Sequence, residues 1–153
     1  MTAATSDGLT LRLQRVLPAP RPQVFTMHAD PDQLARWWGP TGFTAPSIEL
    51  DLRVGGAYRI AMQPPDGDRF ILAGAFRRVD PPAHLAYTFR WEPPDADDRE
   101  TVVTISLRDL GNATELSIEQ GPFATEARRA LHVQGWTETL DRLHELITNT
   151  DRR

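Results

Sequence analysis

The side chains of this chain that could carry acid–base chemistry are four histidines and two tyrosines, with arginine as the only basic residue type. The 153 residues include 17 arginines, no lysine and no cysteine. Schiff-base chemistry, thiol nucleophiles and thiolate metal sites are therefore excluded. The polar candidates that remain are His28 as a general base, Arg53 as a partner for a ligand carboxylate, and the Tyr58 and Tyr87 hydroxyls. None of them can be assigned as catalytic from the sequence.

The histidines give no indication of a metal site. They stand at positions 28, 84, 132 and 144, without the paired spacing of zinc or iron ligands. We therefore expect no metal and no cofactor. His84, His132 and His144 are interpreted as surface or packing residues, whereas His28 lies where the first predicted short helix meets the predicted cap at Asp30.

Aromatic residues recur at positions that could form the wall of a ligand pocket, where indole and hydroxyl groups would orient a bound molecule. The candidate ligand-binding residues are Trp38, Phe43, Tyr58, Ile60, Leu72, Phe76, Tyr87, Phe89, Trp91, Trp136 and Leu140. The alternative interpretation is that these side chains form an ordinary core. We expect about half of the aromatic ones to contact a cavity.

Composition limits the class of partner. The formal net charge of −4 argues against nucleic-acid binding, which needs clustered positive charge. No apolar run approaches the roughly 20 residues of a membrane span. Residues 1–8 lack the pattern of a signal peptide, so a cytoplasmic location is expected.

The first elements that must position these residues are one strand and two short helices. Alternation from Leu9 predicts a half-buried strand. Pro22 favours the start of a short helix. Asp30 and Pro31 then predict the cap and first position of a second helix that runs to about Trp37.

A strand meander is predicted from Ile48 to Ser117. Turn residues divide it at 64–67, 80–82, 92–99 and 111–112. The acidic run at 95–100 is interpreted as a mobile hairpin tip. Gly55 and Gly56 suit a tight bend, with Asp51 and Arg53 paired to each other or to a neighbour.

After Pro122 the hydrophobic period changes to that of a long helix. Its apolar stripe is Ala130, Val133, Trp136, Leu140, Leu143 and Ile147. Gly135 interrupts this helix at a cost of about 1 kcal/mol relative to alanine. We favour the interpretation that a strand or loop backbone packs closely there, with space for a ligand as the alternative.

The order of these elements resembles the helix-grip fold of the START-like (SRPBCC) superfamily. Within it, the chain is similar to the family of the C-terminal domain of the activator of heat-shock protein 90 ATPase. The residues that carry the resemblance are Arg15, Val24, Phe25, Asp30, Pro31, 37–40, 51–58, Gly74, 80–82, Leu85, Gly135 and Trp136. It implies an α+β fold in which a curved antiparallel sheet of six to seven strands wraps around the C-terminal helix. We expect a single domain over residues 9–149, with flexible termini at 1–8 and 150–153.

The resemblance implies a cavity between the sheet and the helix that binds a small hydrophobic or aromatic molecule. One alternative is a cyclase, dehydratase or hydrolase that uses the same cavity. Another is a co-chaperone that stimulates a chaperone ATPase, which is disfavoured because only residues 1–8 precede the first strand. A homodimer through exposed sheet edges is a further alternative.

Overall fold

Seven antiparallel strands form one sheet in the computed structural model, which describes residues 9–151. The strands are β1 (Leu11–Leu17), β2 (Thr44–Leu50), β3 (Ala57–Gln63), β4 (Phe70–Asp80), β5 (His84–Glu92), β6 (Thr101–Asp109) and β7 (Thr114–Gly121). Their order in the sheet is β1-β7-β6-β5-β4-β3-β2. Strands β2 to β7 are therefore the predicted meander, and β1 returns to pair with β7.

Three helices accompany the sheet within the described residues: α1 (Arg21–Ala29), α2 (Pro31–Leu34) and α3 (Glu126–Asp151). The Asp30 side chain accepts a hydrogen bond from the Asp32 amide at 2.9 Å, so the predicted cap is present. Trp37 Nε1 donates to the Met27 carbonyl at 3.0 Å and holds the end of α2 against α1. Both contacts fix the backbone that leads into the 38–43 loop.

The core lies between the concave face of the sheet and the C-terminal half of α3. From Trp136 onward the predicted stripe is buried, with Leu140, Leu143 and Ile147 at most 1% exposed. In the first turns the prediction is wrong, since Ala130 is exposed and Val133 only half-buried. The sheet does not cover this half of the helix, and a cavity opens beside it.

The bend between β2 and β3 depends on its two glycines. Gly55 has a φ of +85°, a left-handed conformation that side chains rarely adopt. A Cβ on Gly56 would lie 2.0 Å from the Asp51 carbonyl oxygen. Arg53 Nε donates to both Asp51 carboxylate oxygens at 3.0 Å, which confirms the predicted pairing.

The predicted α+β helix-grip architecture is confirmed by this arrangement. The termini predicted to be flexible include residues 1–8 and 152–153, which lie outside the described residues, and residues 150–151, which belong to the last turn of α3. Among helices in the 9–151 range, none is both long and apolar enough to cross a membrane.

Candidate functional site

A cavity of about 620 Å³ opens between the N-terminal half of α3, the 38–43 loop, and the adjoining ends of β3, β4 and β5. Of the predicted ligand-binding residues, the structure brings together Trp38, Phe43, Phe89, Trp91 and Trp136 on its wall. Trp38 and Trp136 meet edge to face with centroids 5.4 Å apart, as Phe89 and Trp91 do at 5.0 Å. The wall is therefore largely aromatic.

The remaining predicted residues lie elsewhere. Tyr58, Ile60, Phe76 and Tyr87 line a separate void of about 20 Å³, with His28 and Trp38 also on its wall. This volume suffices for about one water molecule and for no ligand. Leu72 and Leu140 line neither space and belong to the core.

The two tyrosine hydroxyls lie deep in the interior. Tyr58 donates to the Thr88 carbonyl oxygen, and burial raises the pKa of both Tyr58 and Tyr87 above the ordinary value. Neither tyrosine lines the 620 Å³ cavity. Both hydroxyls stay protonated at neutral pH and act as packing groups.

His28 is also a core residue. Its Nδ1 lies 3.0 Å from the Val24 carbonyl oxygen, and because a carbonyl can only accept, Nδ1 carries the hydrogen. Burial lowers the pKa of His28 to about 4, so the ring is neutral at neutral pH. His28 and Arg53 both lie away from the large cavity, Arg53 at an exposed turn with Asp51.

Sequence reasoning missed the polar side of the cavity wall, which α3 supplies. Arg128, His132, Gly135 and Thr139 follow one another at intervals of four, three and four residues, and all line the cavity. That spacing places them on one helix face beside the buried stripe. The signal was a second stripe of small and polar residues adjacent to the apolar one.

His132 presents its imidazole to the cavity among aromatic rings. The ring centroids of Phe123, Phe89 and Trp91 lie 4.9, 5.4 and 5.9 Å away. Burial, reinforced by the charge of Arg128, lowers the pKa of His132 to about 4. A neutral imidazole has one donor and one acceptor nitrogen, so His132 could donate a hydrogen bond to a bound molecule and accept one from it.

Arg128 ties the β5–β6 turn to the first turn of α3. Its side chain is 14% exposed, and Nη2 donates to Asp95 Oδ2 at 3.0 Å and to Asp97 Oδ1 at 2.8 Å. Nε lies 3.2 Å from Asp98 Oδ1. The hydrogen bond from Arg128 lowers the pKa of Asp97. The acidic turn predicted to be mobile is thus anchored at the cavity mouth.

Arg142 fixes the opposite side of the cavity. Its Nη1 is within 2.9 to 3.2 Å of four carbonyl oxygens, those of Trp38, Gly39, Pro40 and Phe43. One nitrogen thereby holds the backbone of the whole 38–43 loop. The desolvation that accompanies this position lowers the pKa of Arg142.

The two tryptophans on the wall differ in their indole nitrogens. Trp136 Nε1 donates to Gln120 Oε1 at 2.7 Å, and the Gln120 amide donates in turn to Thr101 Oγ1 at 2.9 Å. Trp38 Nε1 is buried without a partner in the described part of the chain. The Trp136 ring is therefore fixed to the sheet by a hydrogen bond, whereas Trp38 is held by packing.

The favoured interpretation of Gly135, that a strand or loop backbone packs closely against it, is wrong. A Cβ built there would meet only Pro40 Cγ, at 3.9 Å, which is ordinary van der Waals contact. No backbone approaches closely, and Gly135 lines the cavity. The glycine leaves space at the wall, which was the alternative interpretation.

Metal ligands are not assembled in this site. Within the 9–151 range no group of three or more histidine, aspartate or glutamate side chains is placed to hold a metal ion. The polar or charged side chains on the cavity wall are those of Asp68, Arg69, Asp95, Asp98, Arg128, His132 and Thr139, together with the Trp38 indole nitrogen.

Comparison with known proteins agrees with the fold. A protein from Chromobacterium violaceum is 33% identical over 92% of this chain and 97% of its own, with a TM-score of 0.82. A Silicibacter pomeroyi protein named AHSA1 is 27% identical over 92% and 99%, with a TM-score of 0.81. A Nitrosomonas europaea protein is 26% identical over 95% and 97%, with a TM-score of 0.79. No curated protein sequence matches the chain.

The sequence profile of one family matches residues 18–148, which include every element from α1 to most of α3. The predicted resemblance is confirmed by this match. The chain belongs to the family described as activator of Hsp90 ATPase homolog 1-like protein.

Proposed function

We propose that this protein binds a small apolar or aromatic molecule in the cavity beside the N-terminal half of α3. The observation that carries the proposal is the cavity itself, about 620 Å³ in volume with an aromatic wall. Ligand pockets of roughly 300 to 1,000 Å³ enclose drug-sized molecules, and most are apolar with a few polar groups. Arg128 and His132 are such groups here.

The surroundings of Gly135 support binding rather than incomplete packing. A glycine inside a helix costs about 1 kcal/mol relative to alanine. Since there is room for a Cβ at this position, packing does not require the glycine. Space for a ligand at the wall accounts for its presence.

The test is a fluorescence titration with N-phenyl-1-naphthylamine, a neutral aromatic dye that brightens in apolar surroundings. Gly135→Leu would place a side chain in the cavity, and we expect it to weaken dye binding by about tenfold or more. Ala130→Leu is the matched control, because Ala130 is an exposed residue on the same helix. The control should bind the dye as the wild type does.

Failure of the wild-type protein to bind the dye, or equal binding by the Gly135→Leu protein, would count against the proposal. Native mass spectrometry of protein purified from its own host then identifies the molecule. A reproducible mass excess that Gly135→Leu removes is the expected result.

A further inference from the structure

Within the described residues, the hydrogen bonds of Arg128 use only one of its two terminal guanidinium nitrogens. Nη2 donates to Asp95 and Asp97, whereas Nε lies 3.2 Å from Asp98 Oδ1 in an ion pair without a hydrogen bond. Nη1 donates in none of the hydrogen bonds that Arg128 makes with the described residues. Nη1 is not fully buried, whereas Nε is. Because Arg128 lines the cavity, Nη1 is a donor within reach of its contents.

The charge around this donor is unusual for an arginine in a binding site. Three carboxylates surround the single guanidinium, so the cluster has a formal charge of −2. Asp98 is the innermost of the three, with a side chain 7% exposed, and it also lines the cavity. The positive charge of Arg128 is therefore more than balanced.

A carboxylate and a neutral carbonyl differ in how they respond to such a cluster. Both can accept a hydrogen bond from Nη1. The carboxylate would also meet two uncompensated negative charges in a partly desolvated cavity, where like charges repel more strongly than in water. A neutral oxygen receives the hydrogen bond without that repulsion.

The position of His132 adds to this preference. It lies one helical turn after Arg128, and its ring is neutral at neutral pH. It offers a second hydrogen-bonding group without a net charge, among the rings of Phe89 and Trp91. Asp68 and Arg69 add opposite charges to the same wall, so the polar end of the cavity provides hydrogen bonds without a net positive charge.

We propose that the ligand is a neutral aromatic molecule with a hydrogen-bond-accepting oxygen, such as an aryl ketone, which Arg128 Nη1 binds and the Asp95, Asp97 and Asp98 carboxylates select against acids. This inference rests on the proposed function, since it assigns the chemistry of the same cavity. Arg128 acts in it as the specificity-determining donor.

Three probes of similar shape test the proposal: 2-ethylnaphthalene, 2-acetylnaphthalene and 2-naphthoate, each measured by displacement of N-phenyl-1-naphthylamine. In the wild type, 2-acetylnaphthalene should bind about tenfold more tightly than either of the others. Arg128→Met should reduce it to the affinity of 2-ethylnaphthalene. Arg108→Met, which removes an exposed paired arginine from β6, is the matched control and should keep the wild-type order.

The carboxylates are tested separately by Asp95→Asn combined with Asp97→Asn, which keeps oxygen acceptors for Arg128 and removes two negative charges. We expect 2-naphthoate to gain about tenfold in affinity, with 2-acetylnaphthalene little changed. This variant also tests the proposal should Arg128→Met fail to fold.

The outcomes separate the two proposals. Equal affinity for all three probes, or tightest binding of 2-naphthoate, would overturn the inference and leave ligand binding intact. Absence of binding by every probe and by the dye would overturn both.

Discussion

Two glycines, Gly135 and Gly74, have opposite surroundings. At Gly135 a Cβ would meet only Pro40 Cγ, at 3.9 Å. At Gly74, on β4, a Cβ would lie 2.0 Å from the carbonyl oxygen of Thr88. That oxygen also accepts a hydrogen bond from Tyr58, so it is not free to move. The first glycine leaves space, and the second permits a close backbone approach.

Alanine substitutions should therefore have opposite effects on the free energy of unfolding. Gly135→Ala should stabilise the protein by about 0.5 to 1 kcal/mol through helix propensity. Gly74→Ala should destabilise it by about 2 to 3 kcal/mol, because β4 and the Thr88 carbonyl group must move apart to admit the methyl group. Urea denaturation of both variants measures the difference. Destabilisation by Gly135→Ala would show that the helix tolerates no added atom there.

The strand pattern predicted which side chains face inward but could not predict which of them reach the cavity. Tyr87, Phe89 and Trp91 occupy every second position of β5 and therefore lie on the same face of the strand. Tyr87 lines only the small void, whereas Phe89 and Trp91 line the cavity. What separates them is distance along the strand relative to the uncovered half of α3. Period-2 alternation contains no information about that distance.

At the scale of elements, α3 and the 38–43 loop are joined through two side chains of the helix. Arg142 reaches four loop carbonyls, and Glu138 Oε1 accepts from the Thr41 amide at 3.1 Å. Local sequence predicted the cap at Asp30 and the long helix. It could not predict this connection, because the partners are separated by about a hundred residues.

Loss of the connection should affect both stability and binding. Arg142→Met removes the donor that the four carbonyls share, although Pro40 still accepts from the Phe43 amide. We expect a loss of about 2 kcal/mol in unfolding free energy. Dye affinity should fall as well, since Trp38 and Phe43 belong to the held loop. Arg12→Met, which breaks one exposed ion pair with Glu119, is the control and should cost less than about 0.5 kcal/mol. Equal unfolding free energies for the two variants would show that the bonds from Arg142 to the 38–43 loop do not stabilise the protein.

At the scale of the whole molecule, stability should depend on pH through the buried histidines. The pKa of His28 falls from its usual 6.5 to about 4 in the folded state, so the unfolded chain binds more protons in this interval. The contribution of neutral His28 to the unfolding free energy is therefore fully present above about pH 6.5, and it is lost as the pH falls toward 4. For His28 the loss amounts to about 3 kcal/mol. His132 contributes in the same direction.

Unfolding free energies at pH 7 and pH 5 check this dependence. His28→Gln has no ring to protonate, so the difference between the two pH values should be smaller than in the wild type. It should not vanish, because His132 remains. An unchanged difference in His28→Gln would place the acid sensitivity on other groups.

The unequal burial of α3 has a consequence for how such proteins diverge. Stability is concentrated in the half that contains Leu140, Leu143 and Ile147, whereas the half from Glu126 to Gly135 borders the cavity. Substitutions in the cavity-facing half change what the cavity accepts and remove little from the core. Substitutions in one half of the helix can therefore change which ligand is bound, while the other half keeps the protein folded.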